Sequence, residues 1–471
     1  MYMLSQNNQN VKKENKFIPL PDLITKCKDY SKELTRKTLV DFFRAIDKQF
    51  FDSKIRKENF ESHGRLKRSW ITSIGEIKFK RRYYVPKDKQ KYSNFFFVDS
   101  YFNLPKYARL TPDAILAITN MAVDVNATYA ADNALWDTKI SRQTVSNILR
   151  KFTPIKDDLP VMPEIIEEHN QSAETVYIEL DEAHCNLQNG RNIIANLGLI
   201  HTGHIHTDYA CKRKQLENKH YFGGLNVDTS TFNDRIYDYI SKRYNLSDLK
   251  YAFVSGDGAK WINSVSEKLK RCLSGYDVKV IQVLDKFHLR KRLTTIFSGN
   301  RKLIRYFLKN TNKLTEEKFI EIAYEFYKNN PDHKCNETSF YYNVNYICNN
   351  FEFIKNQKHH EYKAPCSMEG HVSHVLASRL TSRPKGFSRE TLETMVQLLV
   401  LKANLHELTV KDLYAWKNYK VEVPIRIKRN ASYRRYKRNY DFNVHLEISN
   451  SNNTKMRDCI RRIASPRWFY S

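Results

Sequence analysis

Glycine and proline are scarce, 13 of each in 471 residues, which excludes a collagen-like or low-complexity chain. No stretch reaches 18 consecutive apolar residues, so no membrane-spanning helix and no membrane partner are expected. The opening MYMLSQNNQNVKKENKF has neither an apolar core nor a small-residue cleavage site. A secretory signal is therefore not expected, and a cytoplasmic protein is. The eight cysteines, at 27, 185, 211, 272, 335, 348, 366 and 459, include no Cys-x-x-Cys pair. Reduced thiols are the expectation, with neither a disulfide framework nor a zinc ribbon. Negative charge is also short. There are 52 Asp and Glu against 79 Lys and Arg, a formal net charge of +27. An excess that large points to a polyanionic partner, nucleic acid foremost, because Lys and Arg that neutralise phosphates release counterions.

What is present suffices for real cores: hydrophobic residues are 41% of the chain, with 26 Phe and 29 Tyr. At ~150 residues per domain the length allows roughly three domains. Four regions are predicted. Residues 1–105 combine helices with a β-hairpin, RLKRSWITSIGEIKFKRRYYVP, turning at Gly75. Lys78, Arg81 and Arg82 on it, with Lys67, Arg68 and Lys80, are candidates for DNA-backbone contact or for a solvated face. Residues 106–155 read as three helices, the last, SRQTVSNILRKF, capped by Ser141. Val145, Ile148, Leu149 and Phe152 form its apolar stripe. The opposite face, with Arg142, Gln143, Asn147 and Arg150, suits a helix in a major groove, as in a helix-turn-helix. A helical spacer with a polar outer face is the alternative. The acidic, proline-bearing stretch at 155–172 reads as a linker.

Residues 170–405 read as a mixed α/β domain in the order β-β-β-α-β-α-β-α. VYIELDEAH alternates Val176, Ile178 and Leu180 with Tyr177, Glu179 and Asp181, so it is a strand with Asp181 at its end. NIIANLGLI is a second strand, and a third is expected near HYFGGLNV. KYAFVSGDGAKWI is a strand that stops at Gly256-Asp257-Gly258, and VKVIQVL is another. Residues 300–365 read as mostly helical. Between Pro365 and Pro384 a further helix carries Glu369 in its first turn. Residues 406–471 form a basic, tyrosine-bearing segment suited to nucleic-acid backbones, or a solvated tail.

Asp181, Asp257 and Glu369 stand out by their settings. Carboxylates at strand ends face the crevice where α/β sheets bind ligands, and hard divalent cations take oxygen ligands. Three such groups suffice for two metal ions over a phosphodiester. Asp257 as a tight-turn residue and Glu369 as a helix-dipole partner are the alternatives. The run HTGHIHTDYACKRKQLENKH has four His but irregular spacing, and a loop is expected there rather than zinc.

The strings ELDEAHCNLQ, SGDGAKWI, LDKFHLRKR and CSMEGHVSHVLASRLTSRPKGFS, in this order, resemble bacterial insertion-sequence transposases of the ISLre group. That group was long catalogued as an uncharacterised family and is similar to Mutator-like transposases. The resemblance covers most of the chain. It implies an RNase-H-like catalytic domain of the DDE type, interrupted by a helical insertion at about 300–365, in which Asp181, Asp257 and Glu369 hold two Mg²⁺ (or Mn²⁺) ions. It implies cleavage at element ends and joining to target DNA by direct transesterification. Asp285 and His288 match an Asp-x-x-His block of Mutator-like proteins and become supporting residues, unless His288 packs or caps locally. Glu179 and Glu182 are possible outer-sphere or substitute ligands. His371 and His374 lie on the Glu369 helix, with DNA contact, orientation of Glu369 and a structural role all open. Arg379 and Arg383 become candidates for phosphate contact, or solvated charges. Pairing of two element ends predicts a homodimer or higher oligomer, associated with the nucleoid. Two rivals remain: a structure-specific DNA nuclease or resolvase on the same fold, and a catalytically silent DNA-binding regulator.

Overall fold

A computed structural model describes residues 19–104, 107–151, 171–205, 215–225, 229–330, 335–381, 386–405 and 407–409. Packing of the chain divides these into two units. The first holds the described residues up to Ala117 together with Asn133–Lys139. The second holds Ile118–Asp132 and the described residues from Ile140 onward. Among the described residues no helix is long and apolar enough to cross a membrane.

The first unit begins with a long helix, Leu20–Asp52, and a short one, Lys54–Asn59, whose start is capped by the Ser53 side chain. The predicted hairpin follows as β1 (Phe60–Thr72) and β2 (Gly75–Pro86), antiparallel, with β3 (Phe95–Phe96) added beside β2. The turn needs a glycine: Gly75 has φ +93°, and a Cβ there would lie 2.5 Å from the Trp136 carbonyl oxygen. Trp70, Ile77 and Phe79 share one face of the ribbon and pack on Phe43 and Ile46 of the long helix. The alternation is what makes a two-stranded ribbon stable: one face is buried and the other is left to charged groups.

The second unit is built on a five-stranded sheet in the order β10-β9-β4-β5-β8. Its strands are β4 (Thr175–Asn186), β5 (Asn192–His201), β8 (His220–Leu225), β9 (Tyr251–Gly256) and β10 (Lys279–Leu284). A small pair, β6 (Gly203–Ile205) and β7 (Gln215–Glu217), lies outside it. β5 lies between β4 and β8 and runs antiparallel to both, while β9 pairs parallel with β4 and β10 parallel with β9. The sheet is therefore mixed, and ranked by position in the chain its strands lie 5-4-1-2-3. The predicted order of strands and helices is the observed one, with the β6–β7 pair added.

Both faces of this sheet are covered, and parity along β4 says by what. Val176, Ile178 and Leu180 enter a core with Ile236 and Ile240 of helix Thr229–Arg243 and Ile262, Val265 and Leu269 of helix Lys260–Cys272. Tyr177, on the other face, packs with Phe253, Val283, Ala364 and Tyr362. The face carrying Glu179 and Asp181 is thus not open to solvent, as simple alternation suggests, because the segment around 362–372 lies over it.

The helices expected after residue 300 are present. Helices Lys286–Ile296, Arg301–Lys309, Glu316–Lys328, Glu337–Asn349 and Phe351–Lys355 bury a core of their own, with Leu293, Phe307, Phe319, Phe340 and Ile347 among its members. Helix Arg142–Lys151 is also as predicted. Ser141 caps it through the Thr144 N–H (3.0 Å), Val145, Ile148 and Leu149 are buried, and Arg142, Gln143, Asn147 and Arg150 are exposed. Phe152 and the linker at 155–170 lie outside the described residues.

Candidate metal centre

The candidate site forms where β9 stops and β4 continues. β4 pairs with β9 as far as Glu179↔Ser255 and with β5 from Tyr177↔His201 to Asn186↔Asn192. Asp181 is therefore not at the end of its strand, as the sequence reading has it. The strand runs five residues further because β5 supplies its ladder partners. Asp181 instead lies just past the point where the ladder with the parallel neighbour ends, buried, with Oδ1 accepting the Glu182 N–H at 2.8 Å.

Two glycines flank Asp257 at that turn, and each is required. A Cβ on Gly256 would lie 2.7 Å from the Leu180 carbonyl oxygen and 2.5 Å from Ile262. Gly258 has φ +79° and lies against Asn350. Asp257 itself accepts the Ala259 N–H at 2.9 Å, and its carbonyl accepts a short hydrogen bond from the Tyr346 hydroxyl. The turn reading of Asp257 is what this geometry shows, and its charge is felt by Glu182 and His288.

Asp285 follows β10, its N–H bonded to the Gly256 carbonyl at 2.8 Å. Its side chain caps helix Lys286–Ile296 through the Phe287 N–H (3.1 Å). That helix carries His288, whose Nε2 lies 3.8 Å from Asp181 Oδ2 and 3.9 Å from Asp285 Oδ2. Both distances exceed a hydrogen bond, so the attraction is electrostatic. Burial opposes a charge on His288, but Asp181, Asp285 and Asp257 outweigh it and the pKa is raised. Asp285 is 5% exposed, and burial first, then the charges of Asp181 and Glu179, push its pKa up to about 6. Glu182, which accepts the Trp261 indole N–H at 3.2 Å, is raised by burial and by Asp257.

Glu369 comes from the far side, in the first turn of helical segment Met368–Val372. The helix continues through a π-helical turn at Ser373–Ala377 and ends at Leu380. Such turns are frequent beside functional sites. One ligand atom each from Asp181, His288 and Glu369 lies within 4.8 Å of the others. Asp257 is not a member of that cluster. A cation is a chemical fit, because His288 Nε2 is buried with no hydrogen-bond partner among the described residues. Two carboxylates and an imidazole form a donor set that takes Mn²⁺ or Zn²⁺ readily and Mg²⁺ through its oxygens.

Glu179, one pleat before Asp181, holds the Glu369 segment in place. Its Oε2 accepts the Ser367 N–H at 2.9 Å and the Ser367 hydroxyl at 3.0 Å, while His201 Nε2 lies 3.1 Å from Oε1. Glu179 and His201 are fully buried. Tyr362 accepts the Cys366 N–H at 3.0 Å and meets the Ser255 hydroxyl at 3.1 Å, fixing the same segment from β9. The sequence signal for this clamp was the outward phase of Glu179 together with Ser367 two residues before Glu369. His201, the first residue of the histidine run expected as a loop, instead ends β5 and faces Glu179.

The remaining candidates fall elsewhere. His371 Nδ1 meets the Tyr221 hydroxyl at 2.8 Å, and burial lowers its pKa. Arg379 donates to the carbonyls of Ala122, Val123 and Val125 at 2.8–3.0 Å, closing the end of helix Pro112–Asp124. In the first unit Arg81 is buried against Asp99 and over the Phe96 ring, and Arg82 pairs with Asp47 at 3.0 Å. Lys78 is exposed and pairs with Glu76 at 3.2 Å. Arg383, the 206–214 part of the histidine run and nearly all of the basic segment 406–471 lie outside the described residues.

Fold and site together define a mixed α/β protein with a carboxylate–histidine cluster beside the central strand of its sheet. The family model described as "Uncharacterised protein family (UPF0236)" matches residues 13–413, and the chain belongs to that family. Similar relatives include a UPF0236 protein of Caldanaerobacter subterraneus subsp. tengcongensis, 28% identical over 385 residues, covering 82% of this chain and 78% of its own. Its name carries eleven locus designations. A second, from the same bacterium and named for four loci, is 28% identical over 390 residues, 83% of this chain and 79% of its own.

Proposed function

We propose that this protein is a DNA transposase of an insertion sequence, with an RNase-H-like catalytic domain of the DDE type. The observation that carries the reading is the convergence of Asp181, His288 and Glu369 within 4.8 Å beside the central strand of a five-stranded mixed sheet. The strand order supports the fold assignment: three antiparallel strands first in the chain, then two parallel ones on the other side of the first. The net charge of +27 supports a nucleic-acid substrate. A relative named for eleven loci of one strain supports mobility, since an element that moves leaves copies.

In this reading Asp181, Glu369 and His288 would hold one divalent cation, and Asp257 with Asp181 would serve a second. Bound there, such ions would supply Lewis-acid stabilisation of the phosphodiester oxygens during attack by water or a 3′-hydroxyl. Asp181 and Asp285 flank the imidazole and orient its Nε2. Glu179 positions Glu369 through Ser367. The buried wall of Tyr362 and Ala364 limits water on that side of the strand.

The test uses the DNA flanking the gene as labelled substrate. Mg²⁺- or Mn²⁺-dependent nicking and joining at the element boundary is expected from the wild type. It should be lost in Asp181→Ala, Asp257→Ala and Glu369→Ala with DNA binding retained. Titration calorimetry with Mn²⁺ should show binding that is lost in Asp181→Ala and weakened in His288→Ala. Cleavage confined to branched DNA would replace the proposal by a resolvase, and binding without cleavage under any metal by a silent regulator.

A further inference from the structure

The long helix Leu20–Asp52 and the exposed side of the β1–β2 ribbon enclose a concavity of ≈ 980 Å³ in the first unit. Arg44 and Lys48 line it from the helix, and Arg65, Lys67, Lys78 and Lys80 from the strands. One acid lines it, Asp47, and that carboxylate is taken up by Arg82 and the Tyr84 hydroxyl. Lys48, Arg65, Lys67 and Lys80 are exposed and make no hydrogen bond or ion pair among the described residues.

The ribbon register sets like charges face to face. Lys67 stands directly opposite Lys80, and Arg65 directly opposite Arg82. Like charges at facing positions weaken a sheet. Arg82 is neutralised by Asp47, but Lys67 and Lys80 face each other with no counter-charge among the described residues, so the ribbon gains from a ligand that neutralises them. Alternate residues on each strand place the charges about 6.8 Å apart, a regular array of point charges. The apolar side chain in the lining, Phe79, is buried in the core behind it. An acidic protein partner would find no aromatic or aliphatic pocket for an anchor. A phosphate backbone needs none, and a two-stranded ribbon has the width that a DNA major groove admits.

We propose that this groove binds the phosphate backbone of duplex DNA through Lys48, Arg65, Lys67 and Lys80. The proposal rests on the reading of DNA as substrate and adds the surface that grips it, in place of the internally paired Arg81 and Arg82.

The experiment measures binding of the full chain to a labelled mixed-sequence duplex, in EDTA, across a salt series. Replacing all four residues by Gln should reduce the slope of log K against log salt by about 3–4, at about 0.9 for each phosphate no longer neutralised. The affinity at moderate salt should fall at least about tenfold, uniformly across sequences. Lys67→Gln with Lys80→Gln should take about half of that change in slope. Relief of the facing charges predicts a thermal midpoint no lower than that of the wild type, so this pair stays informative if the fourfold variant does not fold. An unchanged slope in both variants would overturn the proposal, as would tighter binding of polyglutamate than of DNA. Asp181→Ala keeps the wild-type slope. A slope that responds in a chain with no cleavage activity supports the groove and removes the transposase. Cleavage by a chain whose slope does not respond removes the groove alone.

Discussion

The clamp on the Glu369 segment gives a prediction that does not depend on catalysis. Glu179→Ala removes a fully buried carboxyl and strands three polar groups: the Ser367 N–H, the Ser367 hydroxyl and His201 Nε2. Each buried donor left without a partner costs about 1–3 kcal/mol. The three share one pocket and relax together, so the expected loss is about 3–5 kcal/mol rather than the sum. Glu179→Gln keeps an oxygen for Ser367 and turns an amide toward His201. Its expected cost is about 1–2 kcal/mol. Urea unfolding gives both numbers. Hydrogen exchange adds the local readout: Glu179→Ala should open amides at 366–380 before those of β4 and β9. A loss below about 1 kcal/mol in Glu179→Ala, or exchange that rises equally throughout the sheet, would refute the clamp.

Asp285 sets a pH dependence. Its folded pKa, about 6, lies above the ordinary carboxyl value, so its contribution to stability is fully present below about pH 4 and is lost as pH rises through 6. A shift of two units corresponds to about 3 kcal/mol. Asp285→Asn retains the helix cap and should be more stable than the wild type at pH 7 in EDTA. That gain should vanish near pH 4, as followed by urea midpoints across the range. In the first unit, Asp99→Ala leaves Arg81 buried without its carboxylate and should cost about 3–5 kcal/mol. Asp99→Leu with Arg81→Met should recover most of it, which thermal unfolding would show.

Much of this architecture was legible because it rests on local periodicity. The ribbon around Gly75, the strands of the mixed sheet and helix Arg142–Lys151 each carry a clear period of two or 3.6 with a turn or cap signal at the boundary. The site was legible to the same extent. Asp181 and Glu369 were found, and they do meet. What the sequence could not supply is what depends on register and on cover. Nothing local says that β4 outlasts β9, so Asp181 looked terminal. Nothing local says that residues 362–372 lie over the odd face of β4, so Glu179 read as a possible outer-sphere or substitute ligand rather than as the clamp on Ser367. Arg81, Arg82 and Arg379 looked like free cations because their partners, Asp99, Asp47 and the carbonyls of 122–125, are between 18 and 257 residues away in the chain.

The acids of the second unit divide by what else they bind. Five carboxyl groups crowd the end of the sheet: Glu179, Asp181, Asp257, Asp285 and Glu369. Left alone, like charges at such separations oppose one another, and in low dielectric the opposition grows. Glu179 spends both oxygens on Ser367 and His201, and Asp285 caps a helix and takes up a proton more readily than a free carboxyl. Those two are the most committed to structure. Asp181 accepts the Glu182 N–H on Oδ1 and keeps Oδ2 3.8 Å from His288 Nε2, a buried atom with no hydrogen-bond partner among the described residues, and the exposed Glu369 lies within 4.8 Å of both residues. Asp257 adds its field from the neighbouring strand. A cluster that leaves Asp181 Oδ2, the Glu369 carboxylate and His288 Nε2 without hydrogen-bond partners among the described residues, while binding the surrounding acids into the scaffold, carries a standing electrostatic cost. A cation among Asp181, His288 and Glu369 would relieve it, which is why the division of roles favours a metal centre over a group of structural acids.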